Sequence, residues 1–199
     1  MSYNFFPLVF RQKHIIRWGL MRNVTPETLS QHSYETAVIA HALALIGNEY
    51  FGKNYNAERA VTLALFHDAA EVFTGDLPTP VKYYNGDIRT TYSAIEENAK
   101  DQLISKLPDA LKGIYDGILS QDDSPELKRL VKIADVLTAY IKCIEEEKSG
   151  NNEFTDAKYS TEKKLETYRC DELDFFMKNF LPSFSKSLDE LQKEENDEK

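Results

Sequence analysis

The chain has 199 residues, of which 42% are hydrophobic and 29% charged, enough for one domain with a real core and too apolar for a disordered chain. Its formal net charge of −9 repels a polyphosphate backbone and argues against binding nucleic-acid polymers, without excluding a small phosphate held by one arginine or a cation. No apolar run approaches the ~18–20 residues that cross a bilayer, and Cys143 and Cys170, without CxxC spacing, read as reduced thiols of a soluble cytoplasmic protein with no membrane partner.

Near the start, the apolar stretch 5–10 is too short, and lacks the preceding basic segment, for a signal peptide. Arg17-Trp18 follows. Arginine is the natural bidentate clamp for phosphate. The single tryptophan is either a wall against a sugar or base, or a core anchor. The first long helix is expected over 30–46, with Leu29, Ala37, Ala40, Ala44 and Leu45 as its apolar stripe and Gly47-Asn48 as its end. The next starts after the cap Asn56 and runs through Val61, Leu65, Ala69 and Val72 to Thr74-Gly75. Segment 74–80, with Gly75 and two prolines, reads as an ordered loop. Further helices are expected over 88–107, closed by Pro108, and over 125–148, opened by Ser124-Pro125-Glu126 and ended by Ser149-Gly150-Asn151. Another is expected over 153–180, and a short last one from Pro182. Strand signals are nearly absent. The expected fold class is all-α, a single bundle of six or seven helices over 1–192, with the charged stretch 193–199 as a frayed tail.

The order His32, His67-Asp68, Asp135 carries the chemistry. Two imidazoles and two carboxylates make a nitrogen and oxygen set suited to a divalent metal that activates water. A His-Asp doublet arises readily by chance, so its surroundings must carry the argument. On a continuous helix turning about 100° per residue, Asp68 lies ~100° and Glu71 ~40° from His67, all on one partly buried side. Burying all three is costly unless each finds a partner. Asp135 stands in the apolar run Leu130-Val131-Lys132-Ile133-Ala134-Asp135-Val136-Leu137, where a carboxylate must be metal-bound or paired with Lys132 or Arg129. Glu71, one turn after His67, is the best acid/base candidate, the alternative being a surface helix carboxylate. His41 lies half a turn from His32, faces the other way and reads as structural, which leaves ligands for one metal. Asp76-Leu77-Pro78-Thr79 leaves the metal segment directly, placed either to hold a substrate or as a plain connection.

Together these residues resemble the HD-domain metal-dependent phosphohydrolases, and within them the bacterial 5'-deoxynucleotidases of the YfbR type. The likeness runs to about Leu191. It rests on Arg17-Trp18-Gly19-Leu20-Met21-Arg22-Asn23, His32-Ser33, Phe66-His67-Asp68-Ala69-Ala70-Glu71, the stretch 74–83 (TGDLPTPVKY), Lys132-Ile133-Ala134-Asp135 and Gly150-Asn151-Asn152-Glu153-Phe154. The His and Asp set alone marks only the superfamily; the arginine-tryptophan pair with the TGDLPTPVKY loop is more specific.

The resemblance implies an HD-domain bundle in which His32, His67, Asp68 and Asp135 hold one divalent cation, cobalt favoured, with Mn2+, Zn2+, Fe2+, Ni2+ or Cu2+ also usable. It implies that Arg17 orients a phosphate, Glu71 assists proton transfer, and Asp76, Leu77, Pro78 and Thr79 line a nucleotide pocket with Trp18, His32, Asp68 and Asp135. Trp18 would press on the sugar and exclude a 2'-hydroxyl. The implied protein is a homodimer that hydrolyses small deoxyribonucleoside 5'-monophosphates. Two rival readings are a related phosphohydrolase acting on another nucleotide, such as a dNTP, and a non-catalytic nucleotide-sensing module. Glu71 and Arg17 argue against the sensor, which needs no proton shuttle. Two departures stand out: Gln31 where glutamate is common, and Gly19 where proline can occur, a change expected to loosen Trp18.

Overall fold

Four side-chain caps set where the long helices begin. Thr28, Asn56, Asn85 and Ser124 each accept the backbone N–H three residues on, satisfying a donor the helix itself cannot pair. A computed structural model describes residues 2–78, 81 and 85–193. Its helices are α1 (Phe5–Val9), running into a 3-10 turn (Phe10–His14), α2 (Leu29–Phe51), α3 (Ala57–Phe66), α4 (Glu71–Thr74), α5 (Gly86–Ile104), α6 (Asp109–Leu119) and α7 (Pro125–Lys148). A 3-10 turn (Asn152–Phe154) leads into α8 (Thr155–Thr167) and α9 (Asp171–Asn179), and another (Leu181–Ser185) into α10 (Leu188–Gln192). Among the described residues seven helices have nine or more residues and no strand forms, so the all-α bundle expected from the sequence is what the chain builds. Its sole extended pairing there is the isolated bridge between Ile16 and Thr28.

Two cores organise the helices. In the larger, α2 lies along α3 and α7, and buries Ala40, Leu43, Leu63, Leu130, Ala134 and Leu137 with residues of α8 and α9. The smaller gathers Phe5 of α1, Ala69, Leu103 and Leu107, with Phe66 and Tyr115 against it. Ala64 belongs to the first and Ala69 to the second, so the residues between them bridge the two cores. None of the helices among the described residues is long and apolar enough to cross a membrane.

Several boundaries differ from expectation. Gly47 does not end α2; it is buried within it, because a Cβ there would meet the Tyr55 ring at 2.6 Å. The helix ends instead at Gly52, whose φ of 63° closes it in the left-handed conformation. Leu45 is exposed, and Leu43 takes the core position. The helix expected over 153–180 is two, interrupted at Tyr168-Arg169-Cys170. The short helices α1 and α6 were not expected at all. All but the first residue of the tail 193–199 lies outside the described residues.

Candidate metal centre and active site

The continuous helix expected through His67 breaks. α3 ends at Phe66, residues 67–70 form turns, and α4 restarts at Glu71. The break places His67 and Asp68 at the joint of the two cores, where the two side chains point together without sharing a helix face. His32 comes from the first turn of α2 and Asp135 from the middle of α7.

Three separate segments thus deliver one cluster. His32 Nε2 lies 3.1 Å from Asp135 Oδ1, and His67 Nε2 lies 3.8 Å from the same oxygen. Asp68 Oδ2 lies 2.9 Å from His67 Nε2 and 3.9 Å from His32 Nε2. Donor atoms of His32, His67 and Asp135 all fall within 4.8 Å of one another. Ligands about 2.1 Å from one ion sit roughly 3–3.5 Å apart, so these spacings fit a single transition-metal ion. The tautomers fit as well. His67 Nδ1 donates to the Ala64 carbonyl at 2.6 Å, which turns the Nε2 lone pair into the cluster. That Nε2 is buried and has no hydrogen-bond partner among the described residues. Burial works against protonating His67, but Asp68 and Asp135 outweigh it and raise its pKa. The same carboxylates favour a divalent cation, which competes with that proton. Burial likewise pushes the Asp68 and Asp135 carboxyls up, and His67 and Lys132 respectively lead the groups that bring them well below the ordinary range.

Asp135 sits in the cluster and also accepts from Lys132 Nζ at 2.5 Å. Arg17 reaches the cluster from outside, its Nη1 3.7 Å from Asp68 Oδ2 and 4.0 Å from Asp76 Oδ1. Glu71 is buried at the start of α4, its amide donating to the Asp68 carbonyl at 3.1 Å, so it is no surface carboxylate. Leu77 and Pro78 follow Asp76, all three half-buried, and Thr79 lies outside the described residues. His41 is exposed on α2, away from the cluster, and holds no part of the core as a structural histidine would.

Trp18 is half-buried and its φ is 57°, a left-handed backbone that costs a non-glycine residue about 1–3 kcal/mol unless its surroundings hold it. Its Nε1 donates to Glu27 Oε2 at 2.8 Å, its carbonyl accepts the Met21 amide at 2.8 Å, and its ring lies 5.3 Å from that of Phe154. Trp18 is therefore fixed through its own side chain and carbonyl, and a Cβ on Gly19 would meet only ordinary contact with the Ile16 carbonyl. Gln31 completes a capping box, accepting the Thr28 amide at 2.8 Å.

Two groups of residues escaped the sequence reading. Glu27 is one, buried between Arg17, Trp18 and His32. The other fastens the loop after Trp18. Buried Glu146 accepts the amides of Val24 and Thr25 at 2.9 and 3.1 Å, and Lys142 and Asn151 also donate to it. Asn151 donates in addition to the Arg22 carbonyl at 2.7 Å, which gives the Gly150–Phe154 motif a role in holding this loop.

Burial works to raise the Glu146 carboxyl, but those donors outweigh it and bring its pKa down to about 2. A depressed folded pKa stabilises the fold above the unfolded value and is lost as pH falls through the folded one. The melting temperature of the wild type is therefore expected to fall more steeply between about pH 5 and about pH 3 than that of Glu146→Gln. Parallel curves in a thermal scan would contradict the clasp.

The family described as 5'-deoxynucleotidase YfbR-like matches residues 4–184. A 5'-deoxynucleotidase of Enterobacter sp. (strain 638) is 50% identical over 192 residues, 96% of each chain. The 5'-deoxynucleotidase YfbR of Escherichia coli (strain K12 / DH10B) is likewise 50% identical over 96% of each chain. Among solved structures, an HD-domain phosphohydrolase from Listeria innocua superposes with a TM-score of 0.80 at 26% identity, covering 91% of this chain and 88% of its own. The cyanophage S-2L HD phosphohydrolase DatZ, bound to dA and one catalytic Zn2+ ion, shares the fold with a TM-score of 0.68 at 18% identity, covering 92% and 99%.

Proposed function

The chain belongs to the 5'-deoxynucleotidase YfbR-like family, and from that premise we propose how its own residues remove phosphate from a deoxyribonucleoside 5'-monophosphate. The protein is a hydrolase of the HD-domain type, a 5'-deoxynucleotidase that releases deoxynucleoside and inorganic phosphate. The carrying observation is the convergence of His32, His67, Asp68 and Asp135 from three segments, with Arg17 at the cluster's edge.

These four side chains are the ligands of one divalent cation. Bound there, such a cation supplies Lewis acidity, lowering the pKa of water and offsetting charge on the phosphate. The two-nitrogen, two-carboxylate set suits Co2+, the favoured ion, and equally Mn2+, Zn2+, Fe2+, Ni2+ or Cu2+. Arg17 binds and orients the phosphate, because its guanidinium is buried at the cluster and rigidly aimed. Water attacks phosphorus in line as the bond to the 5' oxygen breaks, and Glu71 moves the proton from the water side to the leaving oxygen. Asp76, Leu77, Pro78 and Thr79 line the nucleotide pocket.

Trp18 forms the wall that meets a 2'-hydroxyl. Trp18→Ala is expected to lower the preference for dAMP over AMP in kcat/KM by about 10–100-fold. An unchanged ratio would remove Trp18 from sugar selection.

The protein acts as a cytoplasmic homodimer on this small-molecule substrate, without nucleic-acid polymers. Free Cys143 and Cys170 support a reducing compartment. Tyr34, Val38 and Leu45, exposed along one face of α2, support a second copy packing there. The deciding assay compares phosphate release from dAMP and AMP across metals, with a chelator control and dATP as a further substrate. Equal rates on dAMP and AMP, or triphosphate released from dATP, would overturn this reading.

A further inference from the structure

One carboxylate touches all three kinds of functional side chain. Glu27 is 5% exposed, and its Oε2 accepts Trp18 Nε1 at 2.8 Å and Arg17 Nε at 3.3 Å. Its Oε1 faces His32 Nδ1 at 3.6 Å, and neither of these two buried atoms has a hydrogen-bond partner among the described residues. Its carbonyl accepts the Arg17 amide at 2.9 Å, tying the two sides of the loop beside the Ile16–Thr28 bridge. A carboxylate is an acceptor only, with lone pairs for several donors. It therefore suits an indole N–H, a guanidinium and an imidazole N–H together. A proton on His32 Nδ1 is drawn toward Glu27, which leaves the Nε2 lone pair facing Asp135.

We propose that Glu27 is a positioning residue that holds the metal-binding imidazole, the phosphate-binding guanidinium and the sugar-facing indole in one register. Metal occupancy and sugar selection are then coupled through a single side chain that touches neither metal nor substrate. Purely structural burial would stabilise the loop without linking the two readouts. The inference rests on the assignments made under the proposed function.

Trp18 is the only tryptophan, so emission excited at the red edge, beyond tyrosine absorption, reports on it alone. Zn2+ is the probe, since its closed shell does not quench by redox chemistry. In the full-length wild type, Zn2+ is expected to shift the emission of Trp18, and in Glu27→Gln to leave it unshifted. Glutamine offers one carbonyl oxygen in place of a carboxylate, so at least one donor loses its acceptor. Glu27→Gln is expected to weaken Zn2+ binding about 10–100-fold by direct titration and to lower the dAMP to AMP ratio in kcat/KM, mainly through KM for dAMP. Glu27→Asp, which keeps the charge, should recover part of both.

Either readout in Glu27→Gln staying within twofold of wild type overturns the coupling. Should that variant fail to fold, the wild-type titration still decides: no emission change on Zn2+ binding overturns it. A wild type that takes dAMP and AMP equally but shifts its emission with Zn2+ would sink the substrate reading and the sugar half of the coupling, and leave only the link from metal through Glu27 to the indole.

Discussion

Replacing Glu71 with glutamine is expected to reduce phosphate release from dAMP by about 10²–10⁴-fold while the cation stays bound. The substitution keeps volume and removes only the capacity to exchange a proton, so the loss belongs in kcat. Glu71 is buried and its amide donates to the Asp68 carbonyl, which ties its position to the His67-Asp68 turn. A metal titration run beside the assay separates the two roles. Wild-type turnover in Glu71→Gln would take the residue out of the reaction, and loss of metal together with rate would make it a ligand instead.

Asp135→Asn is expected to abolish activity by weakening metal binding at least ~100-fold, and to destabilise the metal-free fold as well. Burial pushes the Asp135 carboxyl up, but Lys132, His32 and His67 together hold it well below its ordinary range, so the fold favours the charged form despite neighbouring Asp68, and a neutral side chain forfeits that gain. The share owed to Lys132 is modest, because that side chain is 46% exposed. In chelator, the melting temperature of Asp135→Asn should therefore fall below that of the wild type. The rise produced by added metal in the wild type should disappear in the variant. A metal-dependent rise of wild-type size in Asp135→Asn would show that the cation is held elsewhere.

The caps were the most legible part of the sequence. Asn56 and Ser124-Pro125 open α3 and α7 where their chemistry places them, because a cap acts within three residues and needs no tertiary information. The break after Phe66 was not legible. Apolar residues continue at helical spacing through Ala69 and Val72, but Ala69 serves the second core and Ala64 the first. Gly47 misled for a related reason: glycine can mark an end or a close approach, and only the position of Tyr55 decides. Helix α6 did leave a sign, with Pro108 before it, Asp109 in its first turn and Leu111, Tyr115 and Ile118 at helical spacing. The cluster of His32, His67, Asp68 and Asp135 was readable because its residue types are costly to bury without partners. Glu27 was not, since a single glutamate in a loop has no period and shows its importance only through partners 5, 9 and 10 residues away.

The side chain of Phe5 is fully buried and its ring lies 4.7 Å from that of Tyr115, tilted by 59°, in the same small core that seats Ala69, one residue past Asp68. Helix α1 is thus a doorstop behind the His67-Asp68 turn. A nick or bulky fusion that dislodged it would leave the α2–α3–α7 scaffold folded and soluble, yet let that turn swing out of alignment. Protein of that kind would pass ordinary quality checks and still register as a dead enzyme.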